Sequence, residues 1–404
     1  MKVLLLENIS GVARSQFEEA GFEVEALKGA LDEAELIEKV RGTSILGVRS
    51  KTCITAAVLD AAPELVSVGA FCIGVDKIDR AASSERGIGV FNDPHSNSRS
   101  VAELAMGEII LLMRRTFEAS TRLHGGEWNK SSAGSHEVRG LTLGIVGYGK
   151  IGSQVSDLAE ALGMRVVFHD VAHVLARGNA RPVSFRELLE ISDVVTLHVD
   201  GKATNQGLFG EEEILAMKPG TCLINLSRGF VVDHEALARH LKSGRLGGAA
   251  IDVFPKEPET GGTFSSPLRG LPNVILTPHI GGSTEEAQQN IGQFVSARMI
   301  DYFASGNSLL SVNLPHCHLD YEPNLANGPY RLMHIHHNVP GILRAINDIL
   351  ADRGINIERQ VLDTRGVLGY AIYDINQHCD EQLLARLRAV PQTIRVRVPG
   401  VTRG

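Results

Sequence analysis

From the first residue to about residue 95, short apolar runs alternate with stretches of helical periodicity. The runs VLLL at 3–6 and SILGVRS at 44–50 have the length of buried strands, and Val12 to Ala20 has the spacing of a helix. Strands that alternate with helices are typical of βα units, whose strands pair in parallel. This part of the sequence therefore predicts a parallel sheet covered by helices.

A single long helix is predicted from Ser100 to about Leu123. Ser100 is the expected N-cap, and Glu103 three residues later completes the pattern of a capping box. The apolar positions fall on one broad face of this helix, namely Val101, Leu104, Ala105, Ile109, Leu112 and Met113.

A second βα series runs from Leu141 to about Pro278, and a further helix is predicted from about Thr284 to Ala304. The strand candidates are LTLGIVG, RVVFHD, DVVTLHV, TCLINL, GGAAIDV and NVILTPH. In open α/β sheets, ligands bind beyond the carboxyl ends of the strands. The residues of this series that carry catalytic chemistry lie in the loops at those ends.

The last part of the chain has a different pattern. Ser311 to Pro329 shows little periodicity and predicts a linker. From Tyr330 onward the order is βαββαβ, which is typical of a ferredoxin-like unit. This unit contains no evident catalytic set, so it is interpreted as an appended binding module.

Composition narrows the class of protein. A chain of 404 residues implies two or three domains, and 43% apolar with 22% charged residues is ordinary for a globular protein. We expect neither a membrane span nor a signal peptide, because no apolar run is long enough and MKVLLLENIS fits a first strand. The five scattered cysteines favour reduced thiols in the cytoplasm, without disulfides or a metal site.

The charge balance limits the partners. The net charge of −7, without a long Lys/Arg run, argues against nucleic acid. An anionic substrate would need a local basic pocket in such a protein.

A glycine-rich loop, Gly147-x-Gly149-x-x-Gly152, stands between a predicted strand and a predicted helix. The first glycine allows a tight turn, the second lets the backbone approach a pyrophosphate, and the third lets helix and strand pack closely. The next strand ends in Asp170, which can accept hydrogen bonds from ribose hydroxyls and would repel the extra phosphate of NADP. The loop therefore predicts an NAD site, in preference to NADP.

Four residues at later strand ends suit hydride chemistry on a 2-hydroxy acid. Arg228 can clamp a carboxylate through two hydrogen bonds. His279 can exchange the hydroxyl proton, and Glu257 can orient the imidazole and raise its pKa. Asp252 is placed to contact a nicotinamide carboxamide. Each residue alone has an ordinary structural explanation, but their joint position after a dinucleotide loop predicts an NAD-dependent dehydrogenase.

The chain resembles the D-2-hydroxyacid dehydrogenases, and within them the phosphoglycerate dehydrogenases that end in an ACT domain. The matching stretches cover nearly the whole chain: GVRSKT (47–52), FCIGVDKID (71–79), NSRSVAELAMGEIILLMRR (97–115), GEWNK (126–130), GIVGYGKIG (144–152), INLSRGFVVD (224–233), GAAIDVFPKEP (248–258), LTPHIGGST (276–284) and LMHIHHNVPGIL (332–343).

The resemblance implies oxidation of 3-phospho-D-glycerate to 3-phosphohydroxypyruvate, the entry step to serine. It implies catalytic roles for Arg228, Glu257 and His279. It implies that the NAD site is lined by Gly147, Gly149, Lys150, Ile151, Gly152, Asp170, Leu226, Ser227, Arg228, Asp252, His279, Ile280, Gly281 and Gly282. It further implies that the substrate is held by Arg49, Ser50, Lys51 and Asn97, with Lys130 reaching a phosphate across a subunit boundary.

The resemblance also implies a fold of two flavodoxin- or Rossmann-like parallel-sheet domains and a C-terminal ACT domain. The expected domains are a discontinuous substrate-binding domain (1–96 and 284–315), an NAD-binding domain (97–283), a linker (316–329) and a regulatory domain (330–404). Gly281 and Gly282 would act as a hinge. His336, Asn338 and Asn356 match positions that bind L-serine as a feedback inhibitor, and ACT domains would pair in a homotetramer.

Two other hypotheses stay open from the sequence. One is reduction of 2-oxoglutarate, glyoxylate or hydroxypyruvate on the same scaffold. The other is an NAD-sensing corepressor, against which the intact Arg228, Glu257 and His279 set and the C-terminal module both argue. The chain departs from the expected pattern at Val75 and Asp76, and at Asp93, where a carboxylate would stand close to an anionic substrate.

Overall fold

The computed structural model describes residues 1–258, 262–320 and 330–399. Contacts divide the chain into two compact units, one of Met1–Pro94 with Gln288–Gly404 and one of His95–Ala287. Most of the predicted linker, residues 321–329, lies outside the described residues. Among those described, no helix is long and apolar enough to cross a bilayer.

The N-terminal part of the first unit is a five-stranded parallel sheet in the order β2-β1-β3-β4-β5. Its strands are β1 (Lys2–Leu5), β2 (Glu23–Ala26), β3 (Thr43–Val48), β4 (Ser67–Ala70) and β5 (Gly89–Asn92). The helices are α1 (Gly11–Glu19), α2 (Glu33–Lys39), α3 (Ala56–Asp60) and α4 (Arg80–Glu85). Every residue of β3, β4 and β5 is buried, as expected where helices cover both faces of a parallel sheet.

The second unit is a seven-stranded parallel sheet in the order β12-β11-β10-β9-β6-β7-β8. Its strands are β6 (Thr142–Val146), β7 (Arg165–His169), β8 (Arg181–Pro182), β9 (Val194–Leu197), β10 (Cys222–Asn225), β11 (Gly248–Ile251) and β12 (Val274–Leu276). The helices are α5 (Ser98–Met113), α6 (Thr116–His124), α7 (Lys150–Ala161), α8 (Phe185–Ile191), α9 (Glu211–Ala216) and α10 (His234–Lys242). The strand order reverses direction between β6 and β9, and such a switch point opens a crevice at the carboxyl ends of the strands.

The prediction of one long, Ser100-capped helix is wrong. Arg115 adopts a left-handed conformation (φ 49°), so the helix ends after α5 and a second helix, α6, begins. The N-cap residue is Asn97, and Ser100 lies inside α5, where its hydroxyl pairs with that of Thr284 at 2.9 Å. Glu103 bonds to Arg99 at 2.6 Å, so it does not form the reciprocal capping contact.

The C-terminal module follows α11 (Glu285–Ser305) and is an antiparallel sheet in the order β14-β15-β13-β16. Its elements run in the predicted βαββαβ order: β13 (Tyr330–His337), α12 (Ile342–Asp352), β14 (Ile357–Arg365), β15 (Leu368–Ile375), α13 (Glu381–Arg388) and β16 (Thr393–Arg397). The fold class is thus confirmed: two parallel sheets of the flavodoxin and Rossmann types, and a ferredoxin-like module.

Both faces of this antiparallel sheet are covered within the first unit. One face packs on α12 and α13. The other packs on the end of α11 and the segment after it, with Met333 and Tyr370 of the sheet joining the cluster that contains Tyr302 and Cys317. A fully buried ion pair, Arg331 to Asp374 at 2.7 Å, lies at this contact.

Candidate active site

The glycine-rich loop has the conformation that its spacing predicts. Gly147 follows β6 with φ 90°, and a Cβ atom there would lie 2.6 Å from the carbonyl oxygen of His198. A Cβ atom at Gly152 would lie 2.2 Å from the carbonyl oxygen of Gly147. Any side chain at either position would therefore force the turn or the start of α7 to move.

Gly149 differs from its two neighbours in the motif. It is the N-cap residue of α7, and a Cβ atom built on it would meet nothing within 4 Å. The space next to Gly149 at the N-terminus of α7 is therefore open, and the following Lys150 is exposed and Ile151 half-buried. A helix N-terminus with such an opening suits a pyrophosphate, so the loop fits a dinucleotide cofactor.

A cavity of about 370 Å³ extends from this loop across the carboxyl ends of β6, β7 and β9. Asp170 lines it and accepts hydrogen bonds from the N–H groups of Tyr148 (2.7 Å) and Ala172 (2.8 Å), which fix its carboxylate. Other residues that line the cavity at the end of β9, among them His198 and Val199, were not predicted from the sequence. The strand pattern DVVTLHV could have predicted them, because the carboxyl end of this strand lies at the switch point of the sheet, where ligands bind.

Asp252 organises the turn that follows β12. It is 1% exposed and accepts hydrogen bonds from Thr277 Oγ1 (2.6 Å) and from the N–H groups of Ile280 and Gly281 (2.8 Å each). Its carbonyl oxygen also accepts the N–H of His279 at 2.9 Å. The four bonds hold the turn, and therefore His279, in one place.

His279 and Glu257 form the predicted pair. His279 Nδ1 lies 2.8 Å from Glu257 Oε2, and the N–H of Phe254 donates to Glu257 Oε1 at 3.1 Å. The hydrogen bond to Glu257 raises the pKa of His279 above its ordinary value, against the opposing effect of burial. Burial would raise the pKa of Glu257, but the hydrogen bonds from His279 and Phe254 outweigh it and the pKa is lowered. The carboxylate therefore stays ionised while the imidazole exchanges its proton.

Arg228 completes the set. Its turn is fixed by Asn225, whose Nδ2 donates to the Arg228 carbonyl at 3.1 Å and whose Oδ1 accepts the Ser227 N–H at 3.0 Å. A Cβ atom at Gly229 would lie 2.0 Å from the Phe254 carbonyl carbon, so the glycine lets the Arg228 turn lie directly against the loop of Glu257. The positive charge of Arg228 helps to lower the pKa of Glu257. The same charge opposes the rise in the pKa of His279 but does not cancel it.

The second unit contains further predicted site residues. Leu226 and Ser227, which precede Arg228 in the sequence, are buried. Gly282 lies against Asn97, since a Cβ atom on the glycine would be 2.2 Å from Asn97 Nδ2. Asn97 Oδ1 is buried and, within the described ranges, has no hydrogen-bond partner. The exposed Lys130 follows α6, away from any regular element.

The remaining predicted residues belong to the first unit. Arg49 is half-buried, and Ser50 and Lys51 are exposed, in the loop after β3. In the C-terminal module, Asn338 and Asn356 are exposed, whereas His336 is 1% exposed and bonds through Nδ1 to His334 Nδ1 at 3.2 Å.

In the part of the chain that the structure describes, no three His, Cys, Asp or Glu side chains are grouped so that they could hold a metal ion.

Two family profiles match the chain. Residues 106–281 match the D-isomer specific 2-hydroxyacid dehydrogenase, NAD binding domain, and residues 332–395 match an ACT domain of the AHAS small-subunit type. The first match contains the glycine-rich loop and the Arg228, Glu257 and His279 set.

Curated relatives match over nearly the whole length. The chain is 48% identical over 403 residues to D-3-phosphoglycerate dehydrogenase of Escherichia coli K12, covering 98% of this chain and 97% of that protein. It is 47% identical over 400 residues to the Dictyostelium discoideum protein of the same name, with the same coverage.

Solved structures agree on the fold. D-2-hydroxyisocaproate dehydrogenase superposes with a TM-score of 0.69 at 28% identity, over 76% of this chain and 98% of that one. The D-lactate dehydrogenase of Aquifex aeolicus, solved with NAD and lactic acid, superposes with a TM-score of 0.65 at 28% identity, over 77% and 97%. The chain therefore belongs to the D-isomer-specific 2-hydroxyacid dehydrogenase family, in the group of the D-3-phosphoglycerate dehydrogenases, and is an NAD-dependent oxidoreductase with a C-terminal ACT domain.

Proposed function

We propose that the protein oxidises 3-phospho-D-glycerate to 3-phosphohydroxypyruvate with NAD, the first step of phosphorylated L-serine biosynthesis. The observation that carries the proposal is the Glu257–His279 pair at 2.8 Å beside Arg228, in the same unit as the dinucleotide loop. The relatives named D-3-phosphoglycerate dehydrogenase support the choice of substrate.

Each residue of the set has a defined role in this reaction. The Arg228 guanidinium binds the substrate carboxylate and polarises the C2 oxygen. His279 Nε2 takes the proton of the C2 hydroxyl, while Glu257 on Nδ1 stabilises the imidazolium that results. NAD, when bound, supplies the acceptor for the C2 hydride. In the reverse direction, His279 returns the proton to the carbonyl oxygen.

We assign the substrate carboxylate and phosphate to Arg49, Ser50, Lys51 and Asn97, with Lys130 from a neighbouring subunit reaching the phosphate. Arg49 is half-buried and Lys51 is exposed in the loop after β3. Their two positive charges supply the local basic site that a protein of net charge −7 needs to bind a doubly charged phosphate. The domain roles proposed are substrate binding for 1–96 and 284–315, NAD binding for 97–283, a linker at 316–329 and regulation for 330–404.

The test is the rate of NADH formation with 3-phospho-D-glycerate, compared with D-glycerate and 2-hydroxyglutarate. The proposal requires kcat/KM to favour the phosphorylated substrate. Arg49→Ala is expected to lower kcat/KM for 3-phospho-D-glycerate about tenfold or more and to lower kcat/KM for D-glycerate far less. Equal use of the substrates would contradict the phosphate assignment and favour the 2-oxo-acid reductase alternative.

We further propose a homotetramer in the cytoplasm, with ACT domains pairing between subunits. Exposed apolar side chains on and after α6, Phe117 (56%), Leu123 (54%) and Trp128 (84%), support a subunit contact there. The edge strand β14, which is exposed along most of its length, supports pairing of the ACT sheets. The oligomeric state in solution, measured by light scattering, tests this assembly.

Feedback inhibition by L-serine is proposed for the same module. The exposed amides of Asn338 and Asn356 can pair with the carboxylate and ammonium of an amino acid. His336 is buried, so we assign it to the inner wall of the serine site, on the side of the sheet. Titration of activity with serine, repeated on Asn338→Ala, tests the proposal, and an unaffected wild-type enzyme would remove it.

A further inference from the structure

A carboxylate lies beneath the loop that contains Arg49, Ser50 and Lys51. Glu7 is 7% exposed and accepts three backbone hydrogen bonds from this loop. Glu7 Oε2 accepts the N–H groups of Ser50 and Lys51 at 3.0 Å each, and Oε1 accepts the N–H of Thr52 at 2.8 Å. Three successive N–H groups therefore converge on one side chain that is 43 to 45 positions away in sequence.

The backbone around Glu7 is built for this contact. Glu7 and Asn8 follow β1 in left-handed conformations, with φ of 61° and 55°. Such values are uncommon for a glutamate and persist where surrounding contacts enforce them. Here the Glu7 N–H donates to the carbonyl of Gly29 at 3.0 Å, which helps to fix the turn.

The contact determines what the loop can offer to a ligand. Successive N–H groups that point to one spot form an anion-binding concavity, and in this protein Glu7 fills it. The backbone donors of Ser50, Lys51 and Thr52 are therefore already used. Binding of an anionic substrate is left to the side chains of the loop, which Glu7 holds in place and whose two positive charges it partly balances.

We propose that Glu7 is a positioning residue for substrate: it fixes the 49–52 loop so that the Arg49 and Lys51 side chains are preorganised for the substrate phosphate. This inference rests on the proposed function of that loop. Glu7 itself touches neither substrate nor cofactor. Preorganisation matters because a loop that must be ordered by the ligand lowers the affinity for that ligand.

Glu7→Gln is the informative variant because it keeps the size of the side chain. One of its two terminal positions becomes an NH₂ group, which faces an N–H donor and cannot accept from it. We expect KM for 3-phospho-D-glycerate to rise about tenfold while kcat changes less than about twofold. The Kd of NAD should not change, because the dinucleotide loop lies in the other unit.

Hydrogen–deuterium exchange of peptides covering 49–53 gives a readout that is independent of activity. Exchange should be faster in Glu7→Gln than in the wild type. Glu25→Gln is the matched control, since Glu25 lies in the same unit and pairs with Lys2 and Lys39 at the protein surface. It should change neither KM nor exchange in the loop. Glu7→Asp, which keeps the charge but shortens the side chain, should lie between the wild type and Glu7→Gln.

Two results would overturn the inference in different ways. Wild-type KM and wild-type exchange in Glu7→Gln would show that Glu7 does not position the loop. Faster exchange with unchanged KM, when Arg49→Ala also leaves KM unchanged, would show that the loop does not bind substrate. The second result would place the failure in the proposed function of the loop and not in the contact made by Glu7.

Discussion

Glu257 and His279 are 22 positions apart in the sequence, and their side chains meet at 2.8 Å. Two loops of the second unit, after β11 and after β12, bring them together. Asp252 fixes the loop of His279 through its carboxylate and its carbonyl oxygen, and the Phe254 N–H fixes the carboxylate of Glu257. The pair is thus held by backbone contacts on both sides, which suits proton transfer in a fixed geometry.

The pH dependence of the reaction should depend on Glu257. Its hydrogen bond raises the pKa of His279, so the imidazole remains protonated to a higher pH than an ordinary histidine. Oxidation needs the neutral imidazole, and kcat/KM for oxidation should therefore fall as pH decreases through this raised pKa. In Glu257→Gln the acidic limb should move to lower pH, and kcat should decrease at least about tenfold. An unmoved limb would show that another group titrates.

The preference for NAD should depend on Asp170. Asp170→Ser removes the carboxylate at the cavity wall, which should weaken NAD binding about tenfold and improve the relative use of NADP. The measurement is kcat/KM with each cofactor. Asp157→Asn, on the exposed side of α7, is the control because it removes the same charge outside the cavity. If Asp170→Ser keeps the wild-type preference, another residue selects the cofactor.

The glycine motif permits a paired test. Gly152→Ala would place a Cβ atom 2.2 Å from the Gly147 carbonyl oxygen, so Tm of the cofactor-free protein should fall by several degrees. Gly149→Ala meets no protein atom within 4 Å, so Tm should stay the same or rise slightly. The Kd of NAD should nonetheless increase in Gly149→Ala, because the new methyl group occupies the space assigned to the pyrophosphate. Normal NAD binding by Gly149→Ala would rule out that assignment.

Glu108, on α5, is 2% exposed, and within the described residues neither of its carboxyl oxygens has a hydrogen-bond partner. Burial, with a contribution from the Asp252 carboxylate, raises its pKa to about 8. The folded protein therefore keeps this proton where the unfolded chain loses it, and stability falls by about 1.4 kcal/mol per pH unit between the unfolded pKa, about 4.3, and the folded one.

Glu108→Gln should remove this pH-dependent loss of stability. Its Tm should equal that of the wild type near pH 4 and exceed it increasingly up to about pH 8, as measured by thermal unfolding across that range. Glu103→Gln, an exposed position on the same helix, should show no such trend. A constant difference between Glu108→Gln and the wild type at all pH values would mean that Glu108 is not the titrating group.

Hydrophobic periodicity and sequence motifs were enough to predict the three sheets and the contact between Glu257 and His279 at the ends of two strands, while the catalytic roles of these residues stay predictions. Periodicity and motifs were not enough where tertiary contacts decide the local structure. The predicted long helix is interrupted at Arg115, which adopts a left-handed conformation. No glycine or proline stands at this position to indicate the interruption in the sequence. The loop of Arg49 and Lys51 was predicted, but Glu7 beneath it was not, since it ends an ordinary apolar run and its three partners are distant in sequence.

The structure adds contacts and burial that the sequence did not predict for two candidate site residues. The contact of Asp252 with the nicotinamide stays a prediction, and the structure shows in addition that its carboxylate holds the turn of His279. The serine-binding role of His336 also stays a prediction, and its ring is buried because it lies on β13, an inner strand of a sheet that is covered on both faces. Burial of this kind depends on packing and cannot be predicted from the spacing of polar residues.

Transfer of the substrate proton by His279 is the step on which the proposed NAD-dependent oxidation depends. It is tested most directly by the single-turnover rate of NADH formation from 3-phospho-D-glycerate in wild type and His279→Asn, with the Kd of NAD measured on both. We expect the rate to be lower by a factor of about 10² to 10⁴ in His279→Asn, with the Kd of NAD nearly unchanged. A variant that forms NADH at the wild-type rate would contradict this role of His279.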